Sequence, residues 1–223
     1  MSRKQDINLS LQISGSTPRR SNMRALDWLN FFLADVQTGV GPFLAASLTA
    51  KGWNPGQVGM FLTFGGLCGI FLQTPAGAVV DAARRKRLLV LAGIVAIVTA
   101  SLLLAFGSGL HSVILAQVVL GAIGPVMGPA VTAITLGLVG KALFDARLGR
   151  NHSFDSAGNV CAALLMGWIG WRFGMKAIFL IVPLLSIPAV LALAAIPGHE
   201  IDYLRSRGAR SETEVGSISK VQF

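Results

Sequence analysis

One carboxylate lies inside a long apolar run and is the strongest candidate for chemistry in this chain. Asp35 belongs to the run formed by residues 28–49. A carboxylate at the centre of a membrane-spanning helix costs roughly 2.5–3.5 kcal/mol on insertion scales, so it is expected to face a protein interior or a wet cavity, where it can carry a proton. The alternative is a structural hydrogen bond made near the cytoplasmic end of the helix.

Three amide side chains in apolar runs are further candidates for a substrate or proton pathway. Gln37 lies two residues after Asp35 and could line the same cavity. Gln117 and Asn159 belong to later apolar runs. Asn159 shares a helical face with Asp155, four residues earlier. We expect Asp155 to cap the N-terminus of its helix, and Asn159 is a candidate for lining a cavity.

The remaining chemical side chains do not form a catalytic or metal-binding pattern. The histidines, His111, His152 and His199, are scattered at loop positions and suit no metal site. Cys68 and Cys161 lie inside apolar runs without metal-ligand spacing. The sequence has no phosphate-binding loop, which excludes ATP as the energy source, and no paired nucleophile and base. We therefore expect no enzyme activity, no cofactor and no metal.

The composition predicts that membrane-spanning helices position these residues. Hydrophobic residues make up 53% of the 223 residues and charged residues only 13%, about half of the share that is typical of soluble domains. The charges are segregated and leave uncharged runs of about 20 residues, enough to cross about 30 Å of hydrocarbon. Asn54 and Pro55 mark the start of the second run, because Asn is a favoured N-cap and Pro suits the first helical position.

The prediction is an all-α membrane protein with six spans in one bundle. The bundle covers residues 28–197, between a disordered cytoplasmic segment (residues 1–27) and a cytoplasmic tail (residues 198–223). A polar loop, residues 140–154, separates spans four and five. The six spans are residues 28–49, 57–80, 88–106, 112–139, 155–171 and 177–196.

The cations set the expected orientation. Four consecutive cations, residues 84–87, follow the second span, and such a tetrad marks a tight cytoplasmic turn because it cannot cross lipid cheaply. Of the 19 cations, 16 fall on that side and three, Lys51, Arg172 and Lys176, on the other. Because the cations lie at the ends of apolar runs, the net charge of +9 indicates topology rather than nucleic-acid binding. Both termini are therefore expected in the cytoplasm.

Residues 77–87 also carry a family resemblance. They resemble the signature between helices two and three of the major facilitator superfamily, which reads Gly, three mostly apolar residues, Asp, a basic residue, any residue, Gly and two basic residues. The matching residues are Gly77, Asp81, Arg85 and Lys86. The departures are Ala82, where a basic residue is usual, and Arg84, where glycine is usual.

The resemblance covers about residues 24–207, which correspond to half of such a transporter. Residues 35–43 resemble the first helix of many bacterial members, and residues 149–160 resemble the start of their helix five. Gln117 stands where many proton-coupled members place an arginine, four residues before Gly121. Members have two six-span halves with the substrate site between them. The resemblance therefore implies the N-terminal six-helix half of a gradient-driven transporter of a small solute, in a bacterial inner membrane.

The resemblance also implies a conformational role for the signature residues. In the family, the aspartate at the position of Asp81 caps the end of a helix in the opposite half and holds the outward-facing state. Arg85 and Lys86 match the cationic turn and are candidates to pair with Asp81. We expect Arg84 and Arg87 to serve topology alone.

Three interpretations of the half-length resemblance remain open. The chain is expected to be a truncated or frameshifted product, since half-length members are unusual. It could instead be a half-transporter that pairs with another six-helix half or with a second copy of itself. It could also be a non-transporting membrane protein that associates with or modulates another transporter half. The expected partners are the lipid bilayer and an unidentified small-molecule substrate, and no nucleic acid.

Overall fold

The computed structural model describes residues 20–38, 40–83, 85–107, 109–198 and 201. Within those residues the structure contains helices and no β-strand. The predicted disordered segment, apart from residues 20–27, and the predicted tail, apart from Gly198 and Ile201, lie outside the described residues. The helices are α1 (Arg20–Thr38), α2 (Gly41–Ala50), α3 (Pro55–Ala82), α4 (Lys86–Phe106), α5 (Leu110–Phe173) and α6 (Met175–Ala194).

The first helix begins earlier than the sequence predicts. Disorder is expected up to residue 27, whereas α1 begins at Arg20. Asp27 is buried in this helix, and the Met23 carbonyl accepts a hydrogen bond from Arg147 Nη2 at 2.8 Å. Contacts with a distant part of the chain therefore hold residues 20–27 in the helix, and such contacts leave no periodic signal in the local sequence.

The long helix α5 reverses direction at Gly140. This glycine has φ 68° and ψ 176°, a conformation that glycine adopts without the steric cost of a side chain. Asn151 Nδ2 donates a hydrogen bond to Thr135 Oγ1 at 2.9 Å, although 16 residues of straight helix would separate them by about 24 Å. The chain therefore folds back, and α5 consists of a first arm (residues 110–139) and a second arm (residues 141–173). The predicted loop over residues 140–154 is wrong, because all of it after Gly140 is helical.

The reversal gives the bundle six apolar passes. Five stretches of the described chain are long and apolar enough to cross a membrane, and α5 is one of them. Its two arms make two passes, whereas α1 and α2 together form one stretch, Arg20–Ala50. The predicted all-α membrane fold with six helices is confirmed.

Two close helix pairs position the candidate residues. At Gly158 in the second arm, an added Cβ would lie 3.0 Å from the Cβ of Ala34 in α1. At Gly121 in the first arm, it would lie 2.9 Å from the carbonyl oxygen of Gly65 in α3. Small residues allow helix backbones to approach in this way where lipid removes the usual hydrophobic driving force. α1 therefore pairs with the second arm, and α3 pairs with the first arm.

Much of the surface of α3 is exposed, although one side of the helix packs against the first arm of α5. Four of its 28 residues are buried, namely Val58, Phe61, Ala76 and Val80. Large apolar side chains elsewhere on the helix are exposed, including Met60 at 60% and Phe71 at 76%. Its outer face is therefore available to lipid or to a second protein.

Lysines in the described part of the chain lie at two opposite ends of the bundle. Lys51 Nζ donates hydrogen bonds to the carbonyls of Leu104 and Gly107 at 3.0 and 3.1 Å, and Lys176 Nζ lies 4.9 Å from the centroid of the Phe106 ring. These two cations thus share the end at which α4 terminates. Lys86 lies at the opposite end, where α4 begins.

Candidate functional site

A cleft of about 300 Å³ lies between α3, the first arm of α5 and the junction of α1 with α2. Two of the predicted pathway residues, Gln37 and Gln117, line it. Apolar and glycine residues complete its walls, among them Leu44, Leu62, Ile97 and Gly124. A small cleft with a few convergent polar groups on apolar walls is typical of a site for a small molecule.

Gln117 is fixed in place by the close contact between α3 and the first arm. Its Nε2 donates a hydrogen bond to the Phe61 carbonyl at 2.8 Å, and 7% of the residue is exposed. An added Cβ at Gly65 would collide with the Gln117 amide. The amide therefore fits because α3 presents a glycine opposite it, and Gln117 is held at the wall of the cleft.

Asp35 is buried at the midpoint of the 31-residue stretch Arg20–Ala50 and is 5% exposed. Its Oδ1 is enclosed and has no hydrogen-bond partner within the described part of the chain. A buried, unpaired carboxylate oxygen is costly, and such groups require an explanation in function or strain. Within α1, Asp35 lies in the last turn, three residues before the helix ends at Thr38.

Asp35 lies on the face of α1 that contacts the second arm of α5. It follows Phe31 by four residues and precedes Thr38 by three, spacings that share one helical face. Phe31 contributes the backbone that approaches Gly158, and the Thr38 hydroxyl donates a hydrogen bond to Asn159 Oδ1. The carboxylate therefore belongs to the interface between α1 and the second arm, adjacent to the amide-lined cleft rather than on its wall.

Asn159 connects α1 to Asp155. It accepts the hydrogen bond from Thr38, and its Nδ2 donates to Asp155 Oδ2 at 3.2 Å. The prediction that Asp155 caps a helix N-terminus is wrong, because this residue lies inside the second arm. The structure thus separates the four pathway candidates into two pairs. Gln37 and Gln117 meet at the cleft, while Asp35 and Asn159 lie on either side of the neighbouring helix interface.

The signature residues make contacts that differ from the expected ion pair. Lys86 is 1% exposed, and its Nζ donates to the backbone carbonyl of Val80 and to that of Asp81 at 3.5 Å. The carbonyls at a helix C-terminus lack intrahelical partners and carry partial negative charge, so they attract an ammonium group. The Asp81 side chain is exposed, and open space surrounds the position of a Cβ at Gly77. Both residues therefore remain available to a surface outside this bundle.

Arg87 does more than mark topology. Its Nη2 donates a hydrogen bond to the Ala194 carbonyl at 3.4 Å, at the C-terminal end of α6. The adjacent cations Lys86 and Arg87 thus bind the C-terminal carbonyls of two different helices, α3 and α6. They tie three helices together at this end of the bundle.

A buried ion-pair cluster at the same end was not predicted. Asp27 accepts hydrogen bonds from Arg147 Nη2 at 2.5 Å and from Arg150 Nη2 at 2.9 Å. Asp27 and Arg147 are buried, whereas the Arg150 side chain is 58% exposed. The spacing of the two arginines, three residues apart, is the signal that could have indicated a shared helical face. Their partner, 120 residues earlier, could not be read from local sequence.

The described residues contain no group of three or more His, Cys, Asp or Glu side chains placed to hold a metal ion.

Comparison with known sequences identifies the family. The sequence model described as Major Facilitator Superfamily matches residues 27–220, which is most of the chain. The chain belongs to the Major Facilitator Superfamily. The resemblance carried by residues 77–87 is thereby confirmed at the level of the family.

The similar curated proteins are longer than this chain. Uncharacterized MFS-type transporters of two Mycobacterium tuberculosis strains are 40% identical over 186 residues, a match that covers 83% of this chain and 44% of each relative. The chain therefore spans a little under half the length of the curated relatives that it matches.

A solved transporter structure also matches this chain over about half of its own length. A crystal structure of a mutant of the peptide transporter POT, in complex with alafosfalin, is similar to this chain with a TM-score of 0.69 at 17% identity. The superposition covers 95% of this chain and 49% of the transporter. The bundle therefore has the fold of one half of a major facilitator transporter.

Proposed function

We propose that this chain forms one six-helix half of a secondary transporter that moves a small solute across a bacterial inner membrane, driven by an ion or solute gradient. The observation that carries the proposal is the placement of Asp35, which is buried midway along the apolar stretch Arg20–Ala50 and whose Oδ1 has no hydrogen-bond partner among the described residues. Intramembrane carboxylates of this kind mark ion pathways. The chain acts as a carrier and not as an enzyme.

The cleft beside Asp35 supplies a place for the solute. Gln37 and Gln117 provide amide groups that can donate and accept hydrogen bonds. Asn159 and Thr38 form the next polar layer between α1 and the second arm. A proton on Asp35 would change the charge of this interface, and that change can be coupled to rocking of one helical bundle against another.

The proposed partner is a second six-helix half, supplied by another chain or by a second copy. The exposed apolar face of α3 and the half-length match to the relatives support this partner. We place both termini in the cytoplasm because of the cation bias. Asp81, whose side chain is exposed, would then meet a helix end of the second half, where a carboxylate is favoured by the helix dipole.

A non-transporting protein that associates with or modulates another transporter half is the second candidate. The same exposed face of α3 supports it, because docking on a relative requires no solute pathway. The two candidates differ in whether the buried residues of the cleft matter.

Uptake by proteoliposomes discriminates between these candidates. The full chain is reconstituted alone and together with the part of the Mycobacterium tuberculosis relative that lies outside the matched region. A panel of labelled sugars, amino acids, peptides and nucleosides is then offered under an imposed proton or sodium gradient. Uptake that needs both polypeptides, and that Gln117→Leu reduces at least tenfold, supports a transporter half. Association of the two polypeptides without uptake of any solute would favour the modulator.

A further inference from the structure

A second crevice lies away from the amide-lined cleft, between the start of α4 and the end of α6. Its volume is about 380 Å³. The walls are aliphatic, and two arginines, Arg85 and Arg87, also line it. The wall residues are Leu88, Leu91, Val190, Leu193, Ala194 and Gly198. The crevice thus combines a hydrocarbon surface with two permanent positive charges.

The arginines of this crevice retain unused hydrogen-bond donors. Arg87 Nη2 reaches the Ala194 carbonyl at 3.4 Å. Its Nε is enclosed and has no partner among the described residues, so a ligand in the crevice has to bind the terminal Nη groups. Arg85 is exposed. The ion pairs found within the described ranges are those of Asp27 with Arg147 and Arg150, so no carboxylate there neutralises Arg85 or Arg87.

A phospholipid with net negative charge matches both the arginines and the aliphatic walls of the crevice. A guanidinium group donates parallel hydrogen bonds to phosphate oxygens, and aliphatic walls accommodate an acyl chain. Basic pockets between spanning helices on the cytoplasmic side bind acidic headgroups. Inorganic phosphate would satisfy the arginines but would leave the leucine walls of the crevice without a partner.

We propose that this crevice is a binding site for one anionic phospholipid. The headgroup phosphate binds Arg85 and Arg87, and one acyl chain lies along Leu88, Leu91 and Leu193. The lipid bridges α4 and α6 at the point where Arg87 already joins them through Ala194. This site requires only that the bundle is embedded in a membrane, and it is independent of whether the chain transports a solute.

Native mass spectrometry of the purified full chain tests the site. The detergent-solubilised protein is titrated with phosphatidylglycerol and with phosphatidylcholine of the same acyl chains. The wild type is expected to bind the first phosphatidylglycerol more tightly than phosphatidylcholine. The Arg85→Gln/Arg87→Gln variant should lose this preference, with roughly fivefold weaker phosphatidylglycerol binding for each arginine removed. The control Arg172→Gln/Lys176→Gln, which removes two cations at the opposite end, should bind phosphatidylglycerol within twofold of the wild type.

Filling the crevice provides a test that leaves the charges in place. Leu91→Trp should abolish binding of the first phosphatidylglycerol while both arginines remain, and it decides the question if the double arginine variant does not fold. Unchanged phosphatidylglycerol binding in Leu91→Trp would overturn the proposal. Displacement of the lipid by millimolar inorganic phosphate, with equal phosphate binding to wild type and Leu91→Trp, would assign the site to free phosphate and would also overturn it.

Discussion

Arg147 Nη2 lies 2.5 Å from Asp27 Oδ1, and both side chains are buried. Arg150 adds a second contact, because its Nε and Nη2 donate to Asp27 Oδ2 at 3.2 and 2.9 Å. One carboxylate of α1 therefore holds two cations of the second arm of α5. This cluster fixes the helix pair that carries Asp35 and Asn159, so it should control the stability of the candidate site.

Removing Asp27 should destabilise the bundle far more than removing Arg150. Asp27→Ala leaves Arg147 buried without its counter-ion, at a cost of roughly 3–5 kcal/mol. Arg150→Ala removes a mostly exposed partner and should cost no more than about 1 kcal/mol. Thermal unfolding in a neutral detergent, followed by tryptophan fluorescence, measures both. Equal losses of Tm in the two variants would contradict the assignment of the buried pair as the stabilising contact.

Replacing glycine by alanine should have opposite effects on stability at Gly121, which packs against α3, and at Gly59, which lies on an open part of α3. Gly121→Ala places a Cβ 2.9 Å from the Cys68 Cβ and from the Gly65 carbonyl oxygen, and such overpacking costs roughly 1–3 kcal/mol. Gly59→Ala in α3 meets open space and should stabilise the helix by roughly 0.5–1 kcal/mol. In the same unfolding assay, Tm should be lower than that of the wild type for Gly121→Ala and higher for Gly59→Ala. A lower Tm for both would show that the glycines serve some need other than close helix contact.

The buried ammonium of Lys86 should be needed for stability, unlike the exposed guanidinium of Arg85. Lys86→Met keeps the apolar stem but withdraws the donor from the Val80 carbonyl, which should cost roughly 1–3 kcal/mol. Arg85→Met changes an exposed side chain and should stay within about 0.5 kcal/mol of the wild type. Unfolding is measured in a zwitterionic detergent without anionic lipid. A loss in Arg85→Met as large as that in Lys86→Met would indicate that the net charge of the turn matters, and not the helix-end contact.

The two ends of the bundle should differ in their access from outside the cell. His111 lies at the end where α4 terminates, Asp145 lies at the opposite end, and both are exposed. In a background with Cys68→Ser and Cys161→Ser, a membrane-impermeant maleimide added to intact cells should label His111→Cys and not Asp145→Cys. Permeabilised cells should show labelling of both, which controls for reactivity. Labelling of Asp145→Cys alone in intact cells would invert the orientation.

The helix boundaries set by local chemistry could be predicted from the sequence. The Asn54 side chain accepts a hydrogen bond from the Gln57 backbone N–H at 2.9 Å, and the Asn54 backbone N–H donates one to Gln57 Oε1 at 3.1 Å. Pro55 begins α3. These are the expected N-cap and first position. The polarity of residues 140–154 was misleading, because a polar segment can remain helical when distant groups bind it. Only Gly140 interrupts the helix there.

The individual candidates for the site could be found from the sequence, but their grouping could not. Gln37 and Gln117 are 80 positions apart and meet at one cleft, whereas Asp35 faces the second arm of α5. The polar residues before Asp155 favour a helix start at that position, whereas the structure is already helical there. Tertiary contacts decide such groupings, and a helical period indicates only which residues share a face.

The most direct test of the proposed role of Asp35 is gradient-driven accumulation in proteoliposomes that hold this chain and a second half. Asp35→Asn is compared with Asp145→Asn, the same chemical change at an exposed carboxylate. We predict that Asp35→Asn loses accumulation against a solute gradient but still exchanges solute across the membrane, while Asp145→Asn retains at least half of the wild-type rate. Wild-type accumulation by Asp35→Asn would contradict the assignment of Asp35 as the coupling carboxylate.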